Sequence, residues 1–311
     1  MSNYLEKFEK MRIAGSLASK TLDMITDYVK EGTATNHIDK LCYEFIRDNG
    51  GYSAPQFYRG FEKSICTSLN HVVCHGIPGD RTLQDGDIVN IDVTAIVDDH
   101  YGDTSRMYTV GEISVKSKKL INVTYESLNK AIKILKPGKR IGDIGHEIQS
   151  FVEKNGFSVV RDFCGHGIGT NFHQEPNILH YGSKDTGDEL KPGVKLGDIG
   201  NEIQTYVESK GFSVVRDFCG HGISNVFHEH PNILHYGKKN TGIELESGMT
   251  FTIEPMINAG KYDVKILNDG WTAVTKDKSL SAQFEHTIGI TENGYEIFTK
   301  SDKNYSRPPY K

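Results

Sequence analysis

The sequence predicts an α/β protein in which antiparallel strands are backed by helices, and three observations carry that expectation. Residues 86–106 alternate apolar and polar side chains with period two. Residues 3–30, 36–46 and 118–135 space apolar side chains at helical intervals. Residues 135–189 recur at 190–244, so one helix-strand-loop unit is present twice.

In the alternating stretch Val89, Ile91, Val93, Ala95 and Val97 are apolar, whereas Asn90, Asp92 and Thr94 are polar. Such a strand buries one face and lines the other with oxygen atoms. Asp98-Asp99 reads as a turn and Tyr101 to Val110 as the returning strand. A two-residue turn pairs Val97 with His100, Thr94 with Asp103 and Asp92 with Ser105. Asp103 then lies diagonal to Asp92 on one face, ~7–8 Å away. A three-residue turn would send Asp103 to the opposite face. Taken alone, the pattern also suits a hairpin with a solvated polar face.

With 311 residues the chain has ample material for a core. A net charge of −5 gives no sign of nucleic-acid binding. The opening MSNYLEKFEK lacks the apolar region of a signal peptide, and no apolar run approaches a membrane span. Cys42, Cys66, Cys74, Cys164 and Cys219 form no CxxC pair and are odd in number. Reduced thiols in a cytoplasm fit that usage better than a disulfide framework.

Leu5, Phe8, Met11, Leu17, Leu22, Ile25 and Val29 make the first helical stripe, ending near Gly32. Asn36 is predicted to cap a second helix with Ile38, Leu41, Cys42, Phe45 and Ile46 on one face. An aromatic-rich loop leads to His75, a lone histidine between Cys74 and Gly76 that by itself is weak evidence. A third helix should end at Lys136-Pro137-Gly138.

The repeats keep a constant offset of 55, with about 39 of 55 positions identical. Each copy predicts a capped helix, a strand (FSVVRDFCGHGI) and a loop (FH..PNILHYG). A solenoid needs about three repeats, so a tandem duplication inside one domain is expected. Beyond it, Met249 to Glu254 reads as a strand ending in an acidic residue. Around residue 285, Gln283, Glu285 and Thr287 share one face of another strand. The closing SDKNYSRPPYK reads as an extended surface tail.

A carboxylate in a β-segment is costly unless solvated, paired or bound to metal. Two Asp, two Glu and one or two His on strands suit a divalent cation, the imidazole favouring Mn, Fe, Co or Zn. Metal-assisted hydrolysis is the chemistry suggested.

The segments VVCHGIP, GDIVNIDVT, YGDTSRM, CGHGIG..FH, MTFTIEPM, DGWT and SAQFEHT resemble the type I methionine aminopeptidases of the bacterial short form. They span nearly the whole chain except one repeat. Tyr101 departs from the family's usual histidine, and Pro55 stands where many relatives have Cys. The resemblance implies a pita-bread fold, a curved antiparallel sheet backed by helices. It implies Asp92, Asp103, Glu254 and Glu285 as ligands of two divalent ions (Co, Mn, Fe or Zn), with Asp103 and Glu285 bridging. A fifth ligand would be His166 or His221. By the same resemblance His75 lies near the scissile amide, His173 or His228 contacts the substrate carbonyl, and Glu254 helps shuttle the proton. Tyr58, Phe61, Cys66 and Trp271 would surround the methionine side chain. The implied reaction removes the initiator methionine from nascent chains when the next residue is small. It implies a cytoplasmic monomer working near the ribosome. Residues 1–311 are then one catalytic domain in which about 139–193 or 194–248 is an insertion relative to the family.

The separations Asp103 to His166 and His221 to Glu254 both agree with the family, so spacing does not choose between the repeats. Gly169 follows GHGI in copy one, where copy two has Ser224, while copy two runs directly into the Glu254 strand. The balance leans to His166 and His173. Mixed occupancy, or a domain swap into a neighbouring molecule, is a further expectation. Two rivals are an aminopeptidase-like binding protein disabled by its duplication and a proline-specific aminopeptidase on the same fold. The latter usually carries an extra amino-terminal domain, for which little chain precedes the hairpin.

Overall fold

The first apolar stripe winds into α1 (Tyr4–Ile25), closed by a single 3-10 turn at Thr26–Tyr28, and α2 spans Thr35–Asp48. The computed structural model describes residues 4–133, 135, 141–182, 220–222, 229–233, 247–248 and 250–310. Asn36 does not cap α2. Ala34 holds the cap position without a side-chain bond, because carbonyls of the neighbouring loop take the free N–H groups. Thr35 N–H donates to Arg81 (3.1 Å) and Asn36 N–H to Gly79 (2.9 Å). The Asn36 amide instead donates to Asp80.

Strands β1 (Tyr52–Ser53), β2 (Cys66–Leu69) and β3 (Val72–Cys74) lead to the central hairpin, β4 (Ile88–Val97) and β5 (His100–Thr109). Its register is the one the alternation predicts: Val97 opposite His100, Thr94 opposite Asp103, Asp92 opposite Ser105. Asp98 and Asp99 both adopt positive φ (46° and 58°). That is the two-residue turn whose twist matches the strands. β4 also pairs with β1 and β2.

Two long helices follow, α3 (Val115–Lys133) and α4 (Ile141–Lys154). The first repeat then departs from expectation. Its single long strand is broken into β6 (Ser158–Val159) and β7 (Gly165–Gly167), and its predicted loop contains β8 (Gln174–Ile178). The break occurs because β6 pairs with one partner strand and β7 with another. In the second repeat only β9 (Gly220–Gly222) and β10 (Glu229–Ile233) are described. The rest of that copy lies outside the described residues.

The chain returns through β11 (Thr250–Ile253), β12 (Met256–Asn258), β13 (Val264–Ile266) and β14 (Ala273–Thr275). It ends with β15 (Ser281–Gln283), β16 (His286–Thr291) and β17 (Gly294–Ile297). A five-stranded sheet runs β17-β16-β11-β7-β8, and three-stranded sheets run β15-β12-β6 and β13-β14-β3. Among the described residues β9 and β10 pair with each other and with no further strand.

Two cores result. Val89, Ile91, Val93 and Ala95 of β4 pack under Leu17, Leu22, Ile38 and Ile46 of α1 and α2. Leu120, Leu128, Ile144, Ile148 and Val152 of α3 and α4 pack on Phe251, Ile253 and Ile257. α1 meets the hairpin with no side chain between them, since a Cβ on Gly102 would overlap the Ala14–Gly15 backbone. The buried Arg106–Asp23 ion pair, joined by Ser19 and Ser301, ties the hairpin, α1 and the tail together. No described helix is long and apolar enough to cross a membrane.

Candidate metal centre

The polar face of the hairpin is covered by β15 and β16, and the acidic residues meet at that seam. Asn90 donates to the Gln283 carbonyl (2.9 Å), Thr104 to the Glu285 carbonyl (2.7 Å), and Asp103 N–H to Thr287 Oγ1 (3.1 Å). Asp103 is oriented by Thr94, whose hydroxyl donates to Oδ1 at 2.8 Å. Glu254 and Glu285 occupy matching breaks, one between β11 and β12, the other between β15 and β16. At each break the chain changes partner: β15 pairs with β12, and β16 with β11.

His166 comes from β7, which lies against β11. Glycine is required beside it, because a Cβ on Gly165 would overlap the Thr252 carbonyl. The His166 N–H donates to Thr252 Oγ1 at 2.7 Å, and the same hydroxyl lies 2.8 Å from Glu254 Oε1. Nδ1 lies 3.1 Å from the Gly167 carbonyl, while Nε2 lies 3.4 Å from Glu254 Oε1 and 3.7 Å from Asp103 Oδ2. Burial lowers the pKa of His166 to about 4. A neutral ring donating from Nδ1 points its Nε2 lone pair at two carboxylates.

Among the described residues, Asp103, His166 and Glu285 bring ligand atoms within 4.8 Å of one another. Asp92 and Glu254 line the same cavity. Burial pushes the Asp92 carboxyl up to about 7. Burial first, then repulsion from the neighbouring acids, also raises Asp103, Glu254 and Glu285. Asp92 Oδ1 and Glu285 Oε1 are buried with no hydrogen-bond partner among the described residues. Four such carboxylates facing an imidazole lone pair fit a divalent cation, which would neutralise the repulsion and occupy the orphaned oxygens.

The cavity above this cluster measures about 620 Å³, and its walls include Tyr58, Phe61, Cys66, Trp271 and Pro55. The Trp271 ring lies edge-on to Phe61 (5.3 Å) and 6.2 Å from Tyr58. His75 follows β3 at φ 56° and sets its ring edge-on to Phe163 at 5.7 Å. Backbone held in that sparsely populated region fixes where the imidazole stands. Burial brings its pKa down to about 4. The His173 ring lies 4.1 Å from His166 and 5.2 Å from Tyr58, and burial lowers its pKa as well.

Several contributors were not foreseen. His180 is buried, and its Nε2 accepts the Glu254 backbone N–H at 3.1 Å. Its only sequence signal is the HYG that both repeats carry. Thr252, which donates to Glu254 Oε1, was likewise not foreseen, whereas Thr94 and Gln283 stand on faces the alternation already assigned, Gln283 Nε2 donating to Glu254 Oε2 at 3.3 Å. His221 stands on β9, outside the five-stranded sheet, and His228 lies outside the described residues.

Antiparallel sheets, helices packed against them and acids gathered at a seam suit a metal-dependent peptidase. The model of metallopeptidase family M24 matches residues 9–191 and 183–292. The chain belongs to this family and, within it, to the methionine aminopeptidases. It is 49% identical to the methionine aminopeptidase of Rickettsia prowazekii, over 97% of this chain and 96% of that protein. It is 45% identical to that of Escherichia coli K12, over 94% and 91%. The crystal structure of the Rickettsia enzyme superposes with a TM-score of 0.76, covering 94% of this chain and 97% of that one at 48% identity. The Thermotoga maritima methionine aminopeptidase gives 0.76 at 35% identity, covering 95% and 97%. A prolidase from Pyrococcus furiosus, at 19% identity and a TM-score of 0.62, shares the fold alone. The fold is thus the pita-bread fold, and the expectations of a disabled relative or a proline-specific enzyme gain no support.

Proposed function

We propose that this chain is a metal-dependent aminopeptidase that removes amino-terminal methionine when the second residue is small. The observation that carries the site assignment is the convergence of Asp103, His166 and Glu285 below an aromatic cavity. In this reading Asp92, Asp103, His166, Glu254 and Glu285 hold two divalent ions, drawn from Co, Mn, Fe or Zn. Bound there, the ions supply Lewis-acid polarisation of the scissile carbonyl and make water a usable nucleophile at neutral pH.

The chain's own groups do the rest. Glu254, steadied by Thr252 and Gln283, takes the proton from the attacking water and passes it to the departing amine. His173 donates to the carbonyl oxygen as its charge grows, and His75 binds beside the scissile amide. Tyr58, Phe61, Trp271 and the soft thiol of Cys66 suit a thioether side chain. Residues 1–311 act as one catalytic unit, with the second repeat as the insertion. The substrates are nascent-chain amino termini in the cytoplasm, close to the ribosome, and the working form is a monomer.

Purified chain stripped of metal and reloaded with Mn or Co should cleave Met-Ala-Ser but not Met-Leu-Ser. Inactivity on both peptides with metal bound would overturn the proposal.

A further inference from the structure

The two repeats differ at 16 of 55 positions, and the structure shows where those differences fall. Fifteen described residues of repeat one are buried, and repeat two carries the same amino acid at every one except Gly169, where it has Ser224. Gly169 works through its backbone: its carbonyl accepts the Tyr101 N–H (2.9 Å) and its N–H donates to the Asn171 carbonyl (3.2 Å).

The polar ties of repeat one are duplicated too. Gln149 accepts the Gly182 N–H and Ser158 donates to the Gly260 carbonyl, and the corresponding positions are Gln204, Gly237 and Ser213. The register of the second hairpin is also the same. Gly220 faces Ile233 and Gly222 faces Glu229, each 55 residues beyond Gly165 with Ile178 and Gly167 with Gln174. That hairpin pairs internally without the five-stranded sheet. The M24 matches divide the same way, residues 9–191 containing the first repeat and 183–292 the second.

Whichever copy is docked, the chain outside it counts the same 55 residues. The length-dependent part of the closure entropy is therefore the same, and the differences between the copies lie at positions that are almost all outside the core.

We propose that the two repeats exchange within one chain. In a second state repeat two occupies the cradle formed by α3, β11 and β12, and His221 and His228 stand where His166 and His173 stand in the first. The role of the histidines rests on the aminopeptidase reading; the exchange itself does not.

The β12–β6 pairing provides the test, because Asn258 faces Ser158 there. Cα partners across an antiparallel ladder lie within disulfide reach. The full chain carrying N258C with S158C, and separately N258C with S213C, is oxidised mildly and its monomers mapped by mass spectrometry. Both links should form, the second at no less than about a tenth of the first for states within tenfold in population. No 213–258 link where the 158–258 link is complete overturns the exchange, as does a link found only between chains. With cobalt titrated calorimetrically, H166A/H221A should bind at least about tenfold more weakly than H166A. Equal affinities overturn the substitution of His221 for His166. A wild-type chain that binds no metal would defeat the metallopeptidase reading, and the two disulfides would still decide the exchange.

Discussion

On the hairpin side of the candidate metal centre, Asp92 and Asp103 sit within a ladder of ten residue pairs, with β1 and β2 extending it and α1 laid against its backbone. On the repeat side, His166 lies on a three-residue strand joined to β11 through the single residue pair Gly167–Phe251, with Thr252 and Ile168 supplying further bonds. The acids belong to the permanent part of the fold, encoded once. The imidazole belongs to a part that is encoded twice, on a strand that joins β11 through one ladder pair. An asymmetry of replacement follows: the acids have no understudy.

The largest effect should come from the hairpin. Asp103→Asn removes a central charge and should lower kcat/KM on Met-Ala-Ser by about a thousandfold, equal to several kcal/mol of lost electrophilic assistance. His166→Ala should lose much less, and equal losses in the two variants would break the comparison. Thr252→Val comes next, since it releases both His166 and Glu254. Metal affinity, read by competition with a chelating dye, should weaken by ~10–100-fold.

Smaller effects concern stability. Gly102→Ala forces a methyl into the α1 backbone and should cost ~1–3 kcal/mol in urea unfolding. Gly145→Ala, whose Cβ would overlap the Tyr181 carbonyl, should cost less because repeat two retains Gly200. The smallest effect is a slope with pH. Asp92 rises from 3.8 to about 7 on folding, so the folded metal-free chain keeps protons that the unfolded chain releases. Its contribution to stability is full below about 4 and is lost as pH rises through about 7. Thermal melts of the metal-free protein should therefore fall from pH 5 to pH 8. Added Mn should cancel that fall, because it binds the deprotonated acids. A metal-free melting temperature that climbs over this range would contradict the buried, uncompensated acids.

The hairpin was legible because its information is local: alternation sets the faces, and Asp98-Asp99 sets the register. The same alternation sets Gln283 and Glu285 on one face, yet the continuous strand it predicts breaks between β15 and β16 because the two halves pair with β12 and β11. The interruption of β6 and β7 was less legible, because Arg161-Asp162 and the glycines around His166 weaken the strand signal while only the two different partners fix where it breaks. Asn36 misled for a related reason: the groups satisfying the start of α2 come from Gly79 and Arg81, over forty residues away. His180 and Thr252 do their work across β11, and nothing adjacent to them in the chain announces it. The choice between repeats is the extreme case, since copies this similar carry almost no local signal with which to choose.

The gaps at Glu254-Pro255 and Phe284-Glu285 have one further consequence. An unbroken ladder would use up its amides in pairing and hold Glu254 and Glu285 in the pleat, each aimed at whichever face its register fixed. Here the sheet fails twice at the same level, and the notch left behind is where the negative charge collects. Restoring regular pairing across Pro255 would make a tidier sheet, with no niche left to receive an ion.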